Sequence, residues 1–401
     1  MTVQPLSLFA KPGHDSGGDA PLLGANEFGT QFGLLPREKI ELMARRKMIQ
    51  AEGEIEAEQF QPASLDLRLG ARAYRVRASF LPGKDYSVRE RFDALKSADD
   101  EINIDGNGAV LERGCVYVIP LIEHLNLPDS ISAIANPKSS TGRLDIFTRL
   151  ITDKSDMFDR VARGYEGRLY AEVSPRSFSV RVRKGSKLNQ IRFRRLNSQQ
   201  LEGSDFGIKE RELRERHEKM PLVDGDLQLR RNGLVVRVGL GAEPADGVIG
   251  YKAQKHADIL DVDRGDYKAA DYWVQVRARP DKRLILDPDE FYILASKERL
   301  EIPPDLAAEM VAIDAAMGAF RVHYAGFFDP GFGAGANNRP SARAVLEVRG
   351  YEVPFFLEDG QMIGRLVYEK MAERPQLLYG ASTVSNYQGQ GLKLSKHFRM
   401  E

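Results

Sequence analysis

The chain has 401 residues, 42% hydrophobic and 29% charged, enough for two or three domains with ordinary buried cores. Its 58 Lys and Arg balance its 58 Asp and Glu, and zero net charge argues against a general nucleic-acid or membrane-surface protein, which carries a basic excess. No apolar run approaches the roughly 18 residues of a membrane span, and the single cysteine, Cys115, cannot form an intramolecular disulfide, which fits a reducing cytoplasm.

Residues 1–33 are rich in Gly and Pro, lack a basic-then-apolar signal pattern, and read as a mobile arm. Residues 36–43 open a helix with Pro36 early in its first turn. Thereafter runs of five to eight residues rich in Val, Ile, Leu, Tyr and Phe alternate with Gly, Pro, Asp and Asn turns, which predicts strands at 116–120, 169–173, 178–182, 291–294, 344–349 and 365–368. Lys138-Ser139-Ser140-Thr141-Gly142-Arg143 packs two cations and two serines beside a glycine. Such a cluster suits a polyphosphate: Arg offers forked donors, Lys a point charge, and hydroxyls and backbone N–H groups fill the gaps. Taken alone it also reads as a solvated basic turn. Residues 208–220 are densely charged and predict an exposed helix linking two halves.

The halves repeat. Residues 110–119 read like 285–294, Leu125-Asn126-Leu127-Pro128 like Leu300-Glu301-Ile302-Pro303, 169–173 like 344–348, and Gly185-Ser186-Lys187-Leu188 like Gly360-Gln361-Met362-Ile363. Every pairing has a shift of 175, which indicates a domain duplication. The predicted architecture is mainly β, with two sandwich or jelly-roll domains at 34–200 and 222–401, a charged linker helix at 201–221, and few other helices.

Several motifs fall into one frame. Residues 61–70 (QPASLDLRLG) resemble the opening strand of the dCTP deaminase family, within the dUTPase-like fold, and 138–143 resemble its R-S-S-x-x-R motif. Residues 325–332 (AGFFDPGF) resemble its A-x-x-I-D-P-G-W segment, Val345-Leu346-Glu347-Val348 the strand carrying its catalytic glutamate, and Tyr379 with 385–391 (SNYQGQG) its nucleotide-closing tail. The likeness spans roughly residues 36 to 396. At a shift of 175, Ser139 and Arg143 meet Asp314 and Gly318, so the second half lacks the serine–arginine cluster. The first half lacks the Asp-Pro-Gly and the tail. Family sites lie between subunits, so each chain is expected to carry one composite site.

The resemblance implies hydrolytic deamination of dCTP to dUTP and ammonia, with dTTP as a feedback inhibitor and a homo-oligomeric assembly. Water must add at C4 of cytosine while N3 and the leaving amine each gain a proton, and one carboxylate in reach of both can carry those protons. Glu347 is the candidate; Glu172 is its counterpart in the first half. A mid-strand carboxylate such as Glu347 is expected to have a raised pKa if partly buried, whereas simple alternation would put it in solvent. By resemblance, Ser139 and the Ala325 carbonyl orient the water and Arg143 stabilises charge; Lys138 and Ser140 hold phosphate oxygens. Asp329 either caps its turn or bonds the deoxyribose 3′-hydroxyl. Phe327 and Phe328 either close on the sugar or belong to the core. Tyr379, Asn386 and Gln390 reach phosphates from the tail; the family has Lys where Asn386 stands, and Lys393 or Lys396 is the compensating candidate.

One cysteine and six histidines cannot build the H-x-E, P-C-x-x-C zinc site of other nucleobase deaminases, and no H-E-x-x-H appears, so no protein-bound zinc is expected. Mg²⁺ is expected to arrive on the triphosphate. Two rivals remain: a dUTPase or bifunctional enzyme releasing dUMP, for which Phe332 stands where a tyrosine is usual, and a non-catalytic nucleotide-binding regulator. Residues 71–109 and 225–280 match no motif.

Overall fold

The structure, a computed structural model, describes residues 28, 31–95, 101–197, 206–241, 246–312, 326–335, 339–350, 352–381 and 387–400, with 320–322 described for their backbone. Of the arm expected at 1–33, residues 1–27, 29 and 30 lie outside the described residues, as do Ala325 and Asn386; Phe28 is buried in the first core and Gly33 begins a strand, so that end of the stretch is packed rather than a mobile arm.

Helix Arg37–Arg45 begins after Pro36, which sits at the N-cap, one position before the first turn, where it removes no helical hydrogen bond. In the first half one sheet runs Gly33–Leu34, Lys187–Arg195, Ile131–Pro137, Arg160–Val161, with Leu65–Arg68 also on Lys187–Arg195. The other runs Glu101–Asn103, Arg72–Val76, Val116–Asn126, Glu166–Pro175, Ile146–Thr152. The second half has a sheet of Leu229–Arg230, Gly233–Arg237, Met362–Lys370, Leu306–Ala312 and Phe327–Phe328, and one of Trp273–Arg277, Val248–Ala253, Phe291–Leu300, Ala342–Gly350 and Phe320–Val322. The protein is thus mainly β, as the sequence predicts, with four α-helices among the described residues.

The shift of 175 extends to hydrogen-bond register. Arg192 lies opposite Ile134, and Val367 lies opposite Glu309. Glu172 lies opposite Val118, and Glu347 opposite Ile293.

Two expectations change. The charged helix, Glu210–Lys219, is not wholly exposed: Leu213 is fully buried in the second half's core. The strand predicted at 178–182 is confined to Val180–Val182, because Phe178 instead packs edge-on against Tyr272 and Trp273. Those two rings come from the unassigned 225–280 stretch, part of which crosses to the first half. There Leu260–Asp261 adds a parallel strand to Val180–Val182.

Alternation along two strands explains how the halves join. In Lys187–Arg195, Ile191 and Phe193 enter the first core while Arg192 and Arg194 point the other way. That polar face is buried against the second half: Arg192 donates to Asp329 (2.8 Å) and to the Ala308 carbonyl (3.1 Å), and Arg194 pairs with Glu369 at 2.5 Å. In Ala342–Gly350, Ala344, Leu346 and Val348 enter the second core, while Val345 on the opposite face joins the first half's core cluster. Glu347 and Arg349 share that face with Val345, which aims them at the first half.

Candidate active site

The Lys138–Arg143 loop meets that face. Lys138 is the N-cap of a single helical turn, Ser139–Gly142, capped by Arg143, and the chain then turns through Asp145, whose φ of 55° lies in the left-handed region. Asp145 is held by Ser177 Oγ (2.6 Å) and by the Arg349 guanidinium of the other half. Its carbonyl accepts the Arg176 N–H at 2.9 Å. The loop is therefore locked on both sides, and Ser140, Thr141 and Arg143 are buried.

Arg143 ties three parts together. Its Nη1 donates to the Lys393 carbonyl (3.0 Å) and its Nη2 to Gln390 Oε1 (3.1 Å), both in the tail. Its guanidinium lies over the Tyr387 ring, 3.9 Å from the centroid. Its Nε, buried with no hydrogen-bond partner among the described residues, stands 4.0 Å from Glu347 Oε1. Glu347 is buried, and burial pushes its carboxyl up to about 8; the Arg143 charge and a backbone hydrogen bond offset part of that rise. Glu172, the first-half counterpart, is differently placed: it is engaged by Arg149 at 2.6 Å and lines no part of the same cavity.

The Asp-Pro-Gly segment forms the far wall. Gly331 has φ +90°, and a Cβ there would come within 2.9 Å of the Leu378 Cβ. Glycine thus lets the 378–379 segment close in, where the Tyr379 N–H donates to the Pro330 carbonyl at 2.8 Å. The Asp329 side chain does not cap this turn; it accepts from Arg192, and its backbone carbonyl accepts the Phe332 N–H (3.0 Å) instead. Burial raises the Asp329 pKa, and Arg192 opposes the rise. Phe328 packs edge-on against Phe332 at 5.0 Å, and Phe332 lies 5.6 Å from Tyr379. Phe327 is buried under the Arg192 guanidinium at 4.1 Å.

These groups enclose one cavity of about 270 Å³. It is lined by Lys138, Ser139, Ser140, Arg143 and Glu347, and by Phe328, Asp329, Tyr379 and Gln390. Every site residue expected from the sequence and described in the structure is therefore in one place. Lys138 is engaged by Asp66, whose Oδ1 is buried without a hydrogen-bond partner among the described residues. Lys393 contributes its carbonyl to Arg143 and its ammonium lies 5.6 Å from the Tyr387 ring, while Lys396 lines the cavity. Asp66, Gln190, Lys187 and Tyr387 also line it and were missed. Asp66 sits between two leucines in a strand, and Gln190 is on the outward face of an alternating one, so each carried a weak local signal. Lys187 carried none.

Both halves are similar to known proteins. Residues 31–197 match the family model for the 2′-deoxycytidine 5′-triphosphate deaminase N-terminal domain, and residues 209–398 match that for its C-terminal domain. A solved 2′-deoxycytidine 5′-triphosphate deaminase from Agrobacterium tumefaciens is 47% identical with a TM-score of 0.79, over 85% of this chain and 100% of that one. A dCTP deaminase of Natronomonas pharaonis is 30% identical over 178 residues, 42% of this chain and 80% of the relative. A protein of Kocuria rhizophila named dCTP deaminase, dUMP-forming, is 30% identical over 118 residues, 29% of this chain; the match spans 58% of that relative's length. The chain belongs to the 2′-deoxycytidine 5′-triphosphate deaminase family of enzymes, with the family's N- and C-terminal domains on one polypeptide.

Proposed function

We propose that the protein hydrolyses dCTP to dUTP and ammonia at one composite site, with Glu347 as the proton carrier and no protein-bound zinc. The observation that carries this reading is the buried Glu347 carboxyl, raised to about 8 and facing Arg143 at 4.0 Å inside the cavity. Such a group is largely protonated at neutral pH yet close enough to its pKa to give and take a proton.

The steps balance around it. Glu347 gives its proton to cytosine N3, which makes C4 electrophilic. The carboxylate then takes a proton from water as the hydroxide adds to C4. The regained proton goes to the C4 amine, which leaves as ammonia. The new C4 hydroxyl returns a proton to Glu347, leaving the uracil carbonyl. Ser139 and the Ala325 carbonyl orient the water, and Arg143 balances the transient carboxylate; one such preorganised donor is worth roughly 2.7–4 kcal/mol. Asp329 takes the deoxyribose 3′-hydroxyl while Phe327 and Phe328 close on the sugar. Ser140, Lys138, Tyr379, Asn386 and Gln390 serve the phosphates. Mg²⁺ enters as part of the substrate, on the triphosphate. Among the described residues no three His, Cys, Asp or Glu side chains cluster as metal ligands.

A duplicated chain, dTTP inhibition, a homo-oligomer and a cytoplasmic setting belong to the same reading; among the described residues no helix is long and apolar enough to cross a membrane. A second reading, release of dUMP, is favoured by relatives named dUMP-forming. Chromatography of the products from dCTP with Mg²⁺ separates them. Equal dUTP and ammonia supports deamination alone, dUMP with pyrophosphate the second reading, and unchanged dCTP a regulator.

A further inference from the structure

Each half carries a hairpin on the same edge of its glutamate-bearing sheet. Arg72–Val76 pairs with Glu101–Asn103 in the first half, and Val248–Ala253 with Trp273–Arg277 in the second. In both, the hairpin's first strand lies beside the strand that pairs with the glutamate's own. The connections within the two hairpins, 77–100 and 254–272, thus occupy one place in the repeat, and both fall in the stretches that match no motif. They are used differently. The second leaves its half, and its Leu260–Asp261 pairs with Val180–Val182 of the first. The described part of the first, 77–95, folds back on its own sheet.

There Val88 and Phe92 of helix Val88–Leu95 are buried in a cluster with Val118, Ile151 and Tyr170. The Phe92 ring stands edge-on to Tyr74 at 4.8 Å. Hydrogen bonds latch the segment down. The Val88 N–H donates to Asp153 Oδ1 (2.7 Å), the Lys154 N–H to the Tyr86 carbonyl (3.0 Å) and the Gly83 N–H to the Ser155 carbonyl (3.0 Å). Arg149 Nη2 reaches both Ser79 Oγ (2.8 Å) and Glu172 Oε1 (2.6 Å), which ties the segment to Glu172.

At the shift of 175, Val116, Val118, Tyr170 and Glu172 correspond to Phe291, Ile293, Val345 and Glu347. In the second half that face is packed on the other domain: Phe291, Ile293 and Val345 belong to the first half's core cluster. In the first half the cluster on the equivalent face draws on first-half residues alone, among the described residues. One face of the repeat is therefore covered by a neighbouring domain in one half and by its own hairpin connection in the other. The join between the halves is head-to-tail, the serine–arginine loop of one on the glutamate face of the other. A contact of that kind repeats from copy to copy unless one face is blocked. An uncovered apolar face at Val118, Ile151 and Tyr170 would be a landing site for the next copy.

We propose that the 77–95 segment is a built-in cap, which occupies the face on which a second copy of this chain would otherwise dock and so ends the head-to-tail packing of domains at two. The inference does not depend on the reaction assigned to the central cavity.

The experiment replaces residues 77–100 with a Gly-Ser turn joining Val76 to Glu101, and then adds Y170R to that variant. A cooperative thermal transition identifies the folded variants. Sedimentation velocity is run between about 1 and 100 μM, the range of weak to moderate contacts. At each concentration the capless chain should contain larger species than wild type, growing with concentration, and Y170R should restore the wild-type profile. A folded capless chain that sediments as wild type throughout would overturn the cap. Extra association that Y170R leaves unchanged would overturn it too, because the contact would then lie elsewhere. If the shortened chain does not fold, full-length F92D, which loosens the cap by placing a charge among apolar groups, is read in the same way and must show the same Y170R-sensitive association.

Discussion

Arg349 donates to Asp145 across the boundary between the halves, and both side chains are buried. Each lies two residues beyond a member of the site: Asp145 beyond Arg143, Arg349 beyond Glu347. The two contacts are successive rungs with the charges exchanged, Arg143 facing Glu347 and Asp145 facing Arg349. The second rung fixes the register of the first, because a loop and a strand pinned two residues away cannot slide apart.

Removing one end of that second rung leaves an uncompensated buried charge, which costs about 3–5 kcal/mol. R349M should lower the urea midpoint accordingly and reduce kcat more than it raises KM. A variant with wild-type stability and turnover would show the rung to be idle.

Stability should depend on pH through Glu347. Its carboxyl is near 4.5 when unfolded and about 8 when folded. Between those values the folded state keeps a proton that the unfolded state has released, so stability falls as pH rises across that window. Each unit corresponds to about 1.4 kcal/mol. E347Q lacks the penalty and should gain stability over wild type from pH 5 to 8, by a few kcal/mol. The two should converge below about pH 4. Parallel stability curves across pH 4–9 would contradict a buried, raised carboxyl.

Under the proposed function the same group also governs the rate. If the reaction starts from protonated Glu347, kcat/KM for dCTP should be flat below about pH 7.5 and decline tenfold per unit above about 8. A profile that rises through pH 8 would assign Glu347 the opposite starting state.

Gly331→Ala tests the far wall. A methyl would strain a φ of +90° and press on Leu378. It should displace Tyr379, cost about 1–3 kcal/mol and raise KM for dCTP. An unchanged KM would separate Tyr379 from substrate binding.

Much of this was legible in the sequence, for reasons of period. The 175-residue shift kept both hydrophobic alternation and pairing register, so Glu172 and Glu347 could be matched before their strands were seen. The loop at 138–143 and the tail at 385–391 were readable because small and charged residues were concentrated there. The joint between the halves was not readable. Gln190, Arg192 and Arg194 alternate with Ile191 and Phe193 as the solvent face of an edge sheet would. Only the second half's Asp329 and Glu369, distant in sequence, reveal that this face is buried. Lys187 was obscure for the same reason: it meets the tail where residues 262–265 cross to the first half, and that crossing leaves no periodic trace.

The proposed composite site gives the proton carrier's role to one glutamate of a matched pair. The most direct measurement is the turnover number for dCTP of E347Q beside E172Q, with dCTP binding measured on both. E347Q should lose about 10²–10⁴ in kcat while binding dCTP within a few-fold of wild type. E172Q, which breaks only the Arg149 pair, should keep its rate. Full activity in E347Q, with the loss falling on E172Q, would place the chemistry in the other half.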